Sequence, residues 1–321
     1  MSSTPAESES LLSPRKMLIQ IVGWLIGIGL LFWVVKGAAA KGDWSRITNA
    51  DPWLVAALVG CTAASAVFNG TAFWITIQPV RRVRWLDMQW LNLVSNMLNY
   101  APVRLGAVAR IGYNLRVDKL NLFQIGAWFG MIAYLLFLGI GACLLATLVH
   151  DRVDWIWFAL ALGQIVVGVG LARIVASMPL VVRYGRGIDQ MFMHKRGLWG
   201  AACLRVLDLA AYTGRMAAAL AILGHPLAAS HVVVLAMVAL AASLMPVGKV
   251  GFREFCVAAA AARMNMQFNV DAGTWAQLAL VESAGEAIFF IPLGAVALLW
   301  YRKQWAQSKR ESPMQVPAAA R

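Results

Sequence analysis

LFQIGAWFGMIAYLLFLGIGACLLATLV, residues 122–149, runs for 28 positions without one charged side chain. As a helix it is about 42 Å long at 1.5 Å per residue. The hydrocarbon core of a bilayer is about 30 Å thick and takes about 20 apolar residues. The stretch is apolar all the way round, so it offers no face to water and is suited to lipid or to a protein interior. Five more stretches meet the same requirement: Met17–Val35, Trp53–Gln78, Trp155–Ser177, Leu198–Leu223 and Ala276–Tyr301. Tryptophans crowd their ends, at Trp53, Trp74, Trp155, Trp157, Trp199, Trp275 and Trp300. Indole rings favour the membrane–water boundary because they join an apolar body to a polar N–H.

The whole composition agrees with that one stretch. Of 321 residues, 60% are hydrophobic and only 13% are charged, and the mean hydropathy is +0.67. A soluble domain carries roughly twice that share of charge. Soluble, disordered, coiled-coil and disulfide-rich secreted classes are excluded. The expected fold is all-α: a polytopic membrane protein with about six full spans and two re-entrant helical hairpins. One transmembrane domain, 16–303, is expected between cytoplasmic tails at 1–15 and 304–321. The first apolar run is too long for a cleaved signal peptide.

The two hairpins come from interrupted apolar regions. Trp85–Lys119 carries Asn92, Ser95, Asn96, Asn99 and then Pro102; His231–Gln267 carries Pro246 and the run GKVGFRE. Proline removes a backbone donor and blocks the helix, while glycine frees the turn. Such breaks persist at membrane depth only where protein or water satisfies the freed backbone groups. Each region reads as two half-length helices around a Pro/Gly centre; the alternative is two kinked full spans. The segments Asn99–Arg110 and Ser243–Glu254 both read Pro-Val, then Gly, then Arg. Paired interruptions in two halves of a chain point to a transporter site.

Charge distribution fits the hairpins. The formal charge is +13, from 28 Lys+Arg against 15 Asp+Glu. With both termini cytoplasmic, 19 of the cations fall inside, Arg104 and Arg110 among them, and 5 fall outside. That asymmetry follows the positive-inside rule if each interrupted region returns to the side it entered from. The excess therefore points to cytoplasmic loops and anionic lipid rather than to nucleic acid.

Eight ionisable residues stand inside apolar segments: Arg205, Asp208, Arg215, Lys249, Arg253, Glu254, Glu282 and Glu286. A charge at a helix centre costs about 2.5–3.5 kcal/mol on insertion scales. They must therefore pair or face a cavity. Arg205, Asp208, Tyr212 and Arg215 form a polar stripe on one helix face; Glu282 and Glu286 share a face of the last span. Glu286 lies about 15 Å into that span. Two readings stand: a structural salt-bridge network, or a hydrophilic cavity for a charged head group, with Glu282 and Glu286 as a proton relay in addition. The four cysteines and four histidines show no metal-ligand spacing, and no nucleophile elbow or phosphate-binding glycine loop occurs. Enzymatic activity, a metal and a cofactor are not expected. Residues 180–197 mix apolar and basic side chains and read as an interfacial helix, with a plain connecting loop as the alternative.

Pro102-x-Arg104-Leu105-Gly106-x-x-x-Arg110 and Pro246-x-Gly248-x-x-Gly251-Phe252-Arg253-Glu254 resemble the two signatures of the lysylphosphatidylglycerol synthase transmembrane-region family, which are flippase-like membrane proteins. The resemblance spans about residues 15–305. The chain departs from the pattern at Ala107, where an acid is frequent, and at Lys249, where a glycine is common. The resemblance implies lipid handling without the soluble aminoacyl-transfer domain. It implies a transporter or flippase for an anionic phospholipid or a polyprenyl-phosphate-linked lipid in a bacterial cytoplasmic membrane. The alternative is an accessory protein that presents lipid to a biosynthetic partner enzyme; a homo-oligomer is a further partner reading. Arg104, Arg110, Lys249 and Arg253 would hold the phosphate through charge-assisted hydrogen bonds. Asp208, Glu254, Glu282 and Glu286 would balance those cations or carry a coupling proton. Pro102, Gly106, Pro246, Gly248 and Gly251 would form the hairpin turns.

Overall fold

The structure, a computed structural model, describes residues 14–101, 105–179, 188–244, 251–264 and 272–311. Those residues form helices and short turns, with no strand among them. The helices are α1 (Pro14–Lys41), α2 (Trp44–Thr48), α3 (Pro52–Ile77), α4 (Trp85–Leu98), α5 (Leu105–Arg116), α6 (Leu122–Val149), α7 (Trp155–Ala176), α8 (Ile188–Met193), α9 (Lys195–Ile222), α10 (Ala229–Ser243), α11 (Phe252–Met264) and α12 (Ala272–Glu311). Five of them, α1, α3, α6, α7 and α12, are long and apolar enough to cross a bilayer. The chain is an all-α polytopic membrane protein. The sixth expected span falls within α9, a helix of 28 residues that carries Arg205, Asp208 and Arg215 and is not among those five.

Local chemistry starts the spans where the sequence places them. Asp51 accepts from Trp53 N, with Pro52 in the first turn of α3. Asn121 and Gln124 form a reciprocal capping box on α6. Asp154 accepts from Ile156 N and Trp157 N at the head of α7. Each side chain satisfies donors that the helix itself leaves free. Outward faces stay apolar: Phe32, Trp33, Val166 and Val167 are exposed, which is a surface for lipid rather than water.

Both interrupted regions fold as pairs of short helices. α4 and α5 have 14 and 12 residues, and α10 and α11 have 15 and 13. At about 1.5 Å per residue each is only about 18–23 Å long. Within each pair the two helices pack on each other, so both regions are hairpins. A side chain at Gly106 would collide with the Ser95 carbonyl and the Asn99 side chain, so glycine is what lets α5 close on α4. Gly251 heads α11 with φ +87° against the Gly27 carbonyl of α1. Only glycine adopts that conformation freely and leaves room for that carbonyl.

The order long helix, hairpin, long helix occurs twice, as α3–α6 and α9–α12. α3 packs on α4 as α9 packs on α10; α12 packs on α4 as α6 packs on α10. α3 and α9 form the most extensive helix pair. Their register is antiparallel: Gly200 lies against Ile75, and Gly214 against Cys61. Small residues let these backbones approach. An antiparallel central pair makes the two halves an inverted repeat.

Two details differ from expectation. The last span continues as helix to Glu311, past the boundary at 303. Trp305 stacks on Tyr301 with ring centroids 5.8 Å apart and lies under the Arg116 guanidinium, which anchors the extra turns. The amphipathic stretch at 180–197 is described only from residue 188. It contains the short α8, whose Met191 is buried, and then opens α9. Residues 1–13 and 312–321, to which the terminal tails were assigned, lie outside the described residues.

Candidate functional site

Apolar packing divides into two clusters along the long helices. One gathers Leu58, Leu136, Ile140, Leu209 and Met216. The other gathers Ala72, Ile77, Met131, Leu198 and Ala201. Between them α3, α6 and α9 are near their midpoints, and there the structure opens a cavity of about 350 Å³. α3 contributes Ser65, Asn69 and Phe73; α6 contributes Phe129, Ile132 and Leu136; α9 contributes Arg205, Asp208, Tyr212 and Arg215. Both hairpins reach the same space. Ser95, Asn96, Asn99, Gly106, Ala107 and Arg110 come from the first, and Leu240, Ser243 and Leu244 from the second. Glu286 and Phe290 of α12 complete the wall.

The polar stripe on α9 is a lining of this cavity. Arg205 pairs with Asp208 at 2.8 Å, and Asp208 accepts from Ser65 Oγ at 2.5 Å. The Arg205 Nε is buried without a partner among the described residues. The Arg215 guanidinium lies 4.0 Å from the centroid of the Tyr212 ring.

Four charges join three helices beside the cavity. Arg253 of α11 donates to both Glu282 and Glu286 of α12. Arg215 of α9 lies 2.5 Å from Glu282 and 3.5 Å from Glu286. All four are nearly inaccessible, and the quartet is neutral. Only Arg215 and Glu286 of the four reach the cavity wall. Arg253, expected as a head-group ligand, is enclosed by its two carboxylates instead. Glu254 turns back into its own helix start. It accepts from Gly251 N at 2.6 Å and from Ser283 Oγ, which ties the second hairpin to α12.

Arg110 is different. The sequence places it with the cytoplasmic loop cations, but the structure buries it to 5% exposure on the cavity wall. The polar composition of α5 hides that burial. No carboxylate pairs with it among the described residues. Its Nη2 donates to Asn92 Oδ1 at 2.7 Å and its Nε to Ser95 Oγ at 3.3 Å. Its guanidinium lies 4.0 Å from the centroid of the Phe73 ring. Hydrogen bonds and a ring face solvate the charge without neutralising it.

The expected residues thus divide. Arg110, Asp208, Glu286, Gly106, Arg205, Tyr212 and Arg215 share one cavity. Arg253, Glu282 and Glu254 stand behind its wall, as does Gly251. Pro102, Arg104, Pro246, Gly248 and Lys249 lie outside the described residues. Ser65, Asn69 and Phe73 are additions. Their signal was Asn69 four residues after Ser65 in an otherwise apolar span, and the one-face spacing of Asn92, Ser95, Asn96 and Asn99. In comparisons with known proteins, the chain matches no protein-family model, no curated protein and no solved structure.

Proposed function

We propose that the protein is a lipid transporter of the flippase type. It holds the anionic head group of a phospholipid or polyprenyl-phosphate-linked lipid in the mid-depth cavity. The acyl or prenyl chains stay in the bilayer. The observation that carries this reading is Arg110: a buried cation, facing an open cavity, whose partners among the described residues are all neutral. A charge at such depth costs about 2.5–3.5 kcal/mol on insertion scales. A phosphate oxygen would offset that cost through a charge-assisted hydrogen bond. The partnerless Nε of Arg205 offers a second donor on the same wall.

The inverted repeat supports movement rather than storage. Midplane sites between inverted halves built from broken helices are the usual plan of alternating-access transporters. The two Pro/Gly signatures and their resemblance to the lysylphosphatidylglycerol synthase transmembrane-region family agree with this reading. The bacterial inner membrane, with both termini cytoplasmic, is the location that goes with it.

The test is translocation of fluorescent phosphatidylglycerol by the full chain in proteoliposomes. Arg110→Gln should lower the rate by at least about tenfold, the effect of losing a hydrogen bond to a charged group. The folded fraction should remain, because Gln can still donate to Asn92. An unchanged rate overturns the site. Binding without any translocation by the wild type would instead favour presentation of lipid to a partner enzyme.

A further inference from the structure

Resting on the head-group reading above, we infer that the cavity prefers a phosphate ester whose neighbouring carbons carry hydroxyl groups over one carrying an ammonium or a bare alkyl group. The inference follows from the orientation of three asparagines.

An asparagine side chain has a donor end and an acceptor end, and its partners decide which way it faces. Arginine can only donate. The atom of Asn92 that meets Arg110 Nη2 at 2.7 Å is therefore the oxygen. Its other end donates to the Ala66 carbonyl at 2.9 Å, which can only accept. Asn92 is fixed from both sides. Asn96 then presents its amide nitrogen to the Asn92 carbonyl at 2.9 Å and to Asn92 Oδ1 at 3.2 Å. Asn69 presents its nitrogen to the same Oδ1 at 3.3 Å. The donor ends of Asn69 and Asn96 are thus used inward. Asn69 keeps one amide hydrogen; both residues also present a carbonyl oxygen, and both line the cavity. Neither Oδ1 has a partner among the described residues.

The wall beside the cation therefore offers two acceptor oxygens and a single amide hydrogen. A ligand that fits places an anion on Arg110 and hydrogen-bond donors on Asn69 and Asn96. Hydroxyls and ammonium groups both donate, but charge separates them. Arg205 is close enough to Arg110 for the two cations to repel, so an ammonium at the asparagines would enter a positive field. The two wall carboxylates offer it no refuge. Asp208 is held by Arg205 and Ser65, and Glu286 by Arg253 and Arg215. A polyol phosphate satisfies the acceptors and adds no positive charge.

The experiment is equilibrium binding of short-chain lipids to the purified full-length protein in detergent. Dioctanoyl phosphatidylglycerol and dioctanoyl phosphatidylpropanol have equal charge and similar size, and differ by two hydroxyls. The glycerol lipid should bind about tenfold more tightly, the value of one or two paired hydroxyls. Dioctanoyl phosphatidylethanolamine should bind more weakly than either. The Asn69→Ala, Asn96→Ala double variant should bind both anionic lipids alike. Its retained affinity for the propanol lipid shows that Arg110 still sits in a folded site, and Asn96→Ser is the milder second variant. Equal wild-type affinity for the glycerol and propanol lipids overturns the inference and leaves the head-group reading standing. So does a preference that survives in the double variant, or tightest binding of the ethanolamine lipid. Failure of either anionic lipid to bind the wild type overturns the head-group reading itself. If free sn-glycerol 3-phosphate binds as tightly as the glycerol lipid, the hydroxyl preference holds and its source is a soluble polyol phosphate.

Discussion

The two hairpins share a sequence pattern and differ in what surrounds their arginines. Arg253 on the second hairpin is caught between Glu282 and Glu286, with Arg215 completing a neutral quartet. Arg110 on the first is met by Asn92, Ser95 and the face of Phe73. The first arrangement finishes its electrostatics inside the protein. The second leaves a positive charge solvated but unspent beside an open cavity. Similar motifs thus stand in separate settings, one fastening helices together and the other lining the cavity. Of the two expected head-group arginines that the structure describes, Arg110 lines the cavity and Arg253 does not.

The contrast can be broken most sharply at the quartet. Arg253→Ala would leave two buried carboxylates to share Arg215, and loss of one partner of a buried ion pair costs about 3–5 kcal/mol. A large fall in the melting temperature of the detergent-solubilised protein is expected. A fall no larger than that of Arg110→Gln would erase the distinction, because the partners of Arg110 among the described residues are neutral. Gly251→Ala should come next, at about 1–3 kcal/mol for backbone held in a disfavoured region. Its φ of +87° and the Gly27 carbonyl both exclude a Cβ. Wild-type stability in that variant would mean that the second hairpin is not clamped at its tip.

A pH-dependent effect lies at the base of the first hairpin, outside the spans. Burial, aided by the neighbouring Asp87, pushes the Asp118 carboxyl up to about 7, and its Oδ2 is buried without a partner among the described residues. The unfolded chain loses this proton first, at about pH 4. Stability should therefore fall as pH rises from about 4 to 7 and level off above. Asp118→Asn should raise the melting temperature at pH 8 and leave it unchanged at pH 4. An equal shift at both values would assign the effect to packing instead of charge.

Spans, hairpins and the depth of the charges could be read from the sequence because each is a local property. Apolar run length sets a span, Pro102 and Pro246 mark interruptions, and the spacing of Arg205, Asp208 and Arg215 sets a face. Pairing was not legible. Nothing in the chain order says that Glu282 and Glu286 would meet Arg253 rather than Arg110, since that depends on which hairpin the last helix meets at that level. Arg110 itself was counted with the loops because α5 is polar around it. The asparagines of α4 could be seen, but as a break in an apolar run; their place in a cavity wall appears only when Asn69 arrives from α3.

α12 is one helix of 40 residues with Pro292 inside it. Toward its start it is bonded to the second hairpin through Glu282 and Glu286. Beyond the proline it rests on the first, where Gly294 lies against Met97 and Tyr301 donates to the Ala109 carbonyl at 3.1 Å. It thus joins the two hairpins, as α6 does by packing on α5 and α10. Proline removes one rung of the backbone ladder, and that weak rung falls between the two attachments. The missing rung therefore lies where one helix passes from the second hairpin to the first.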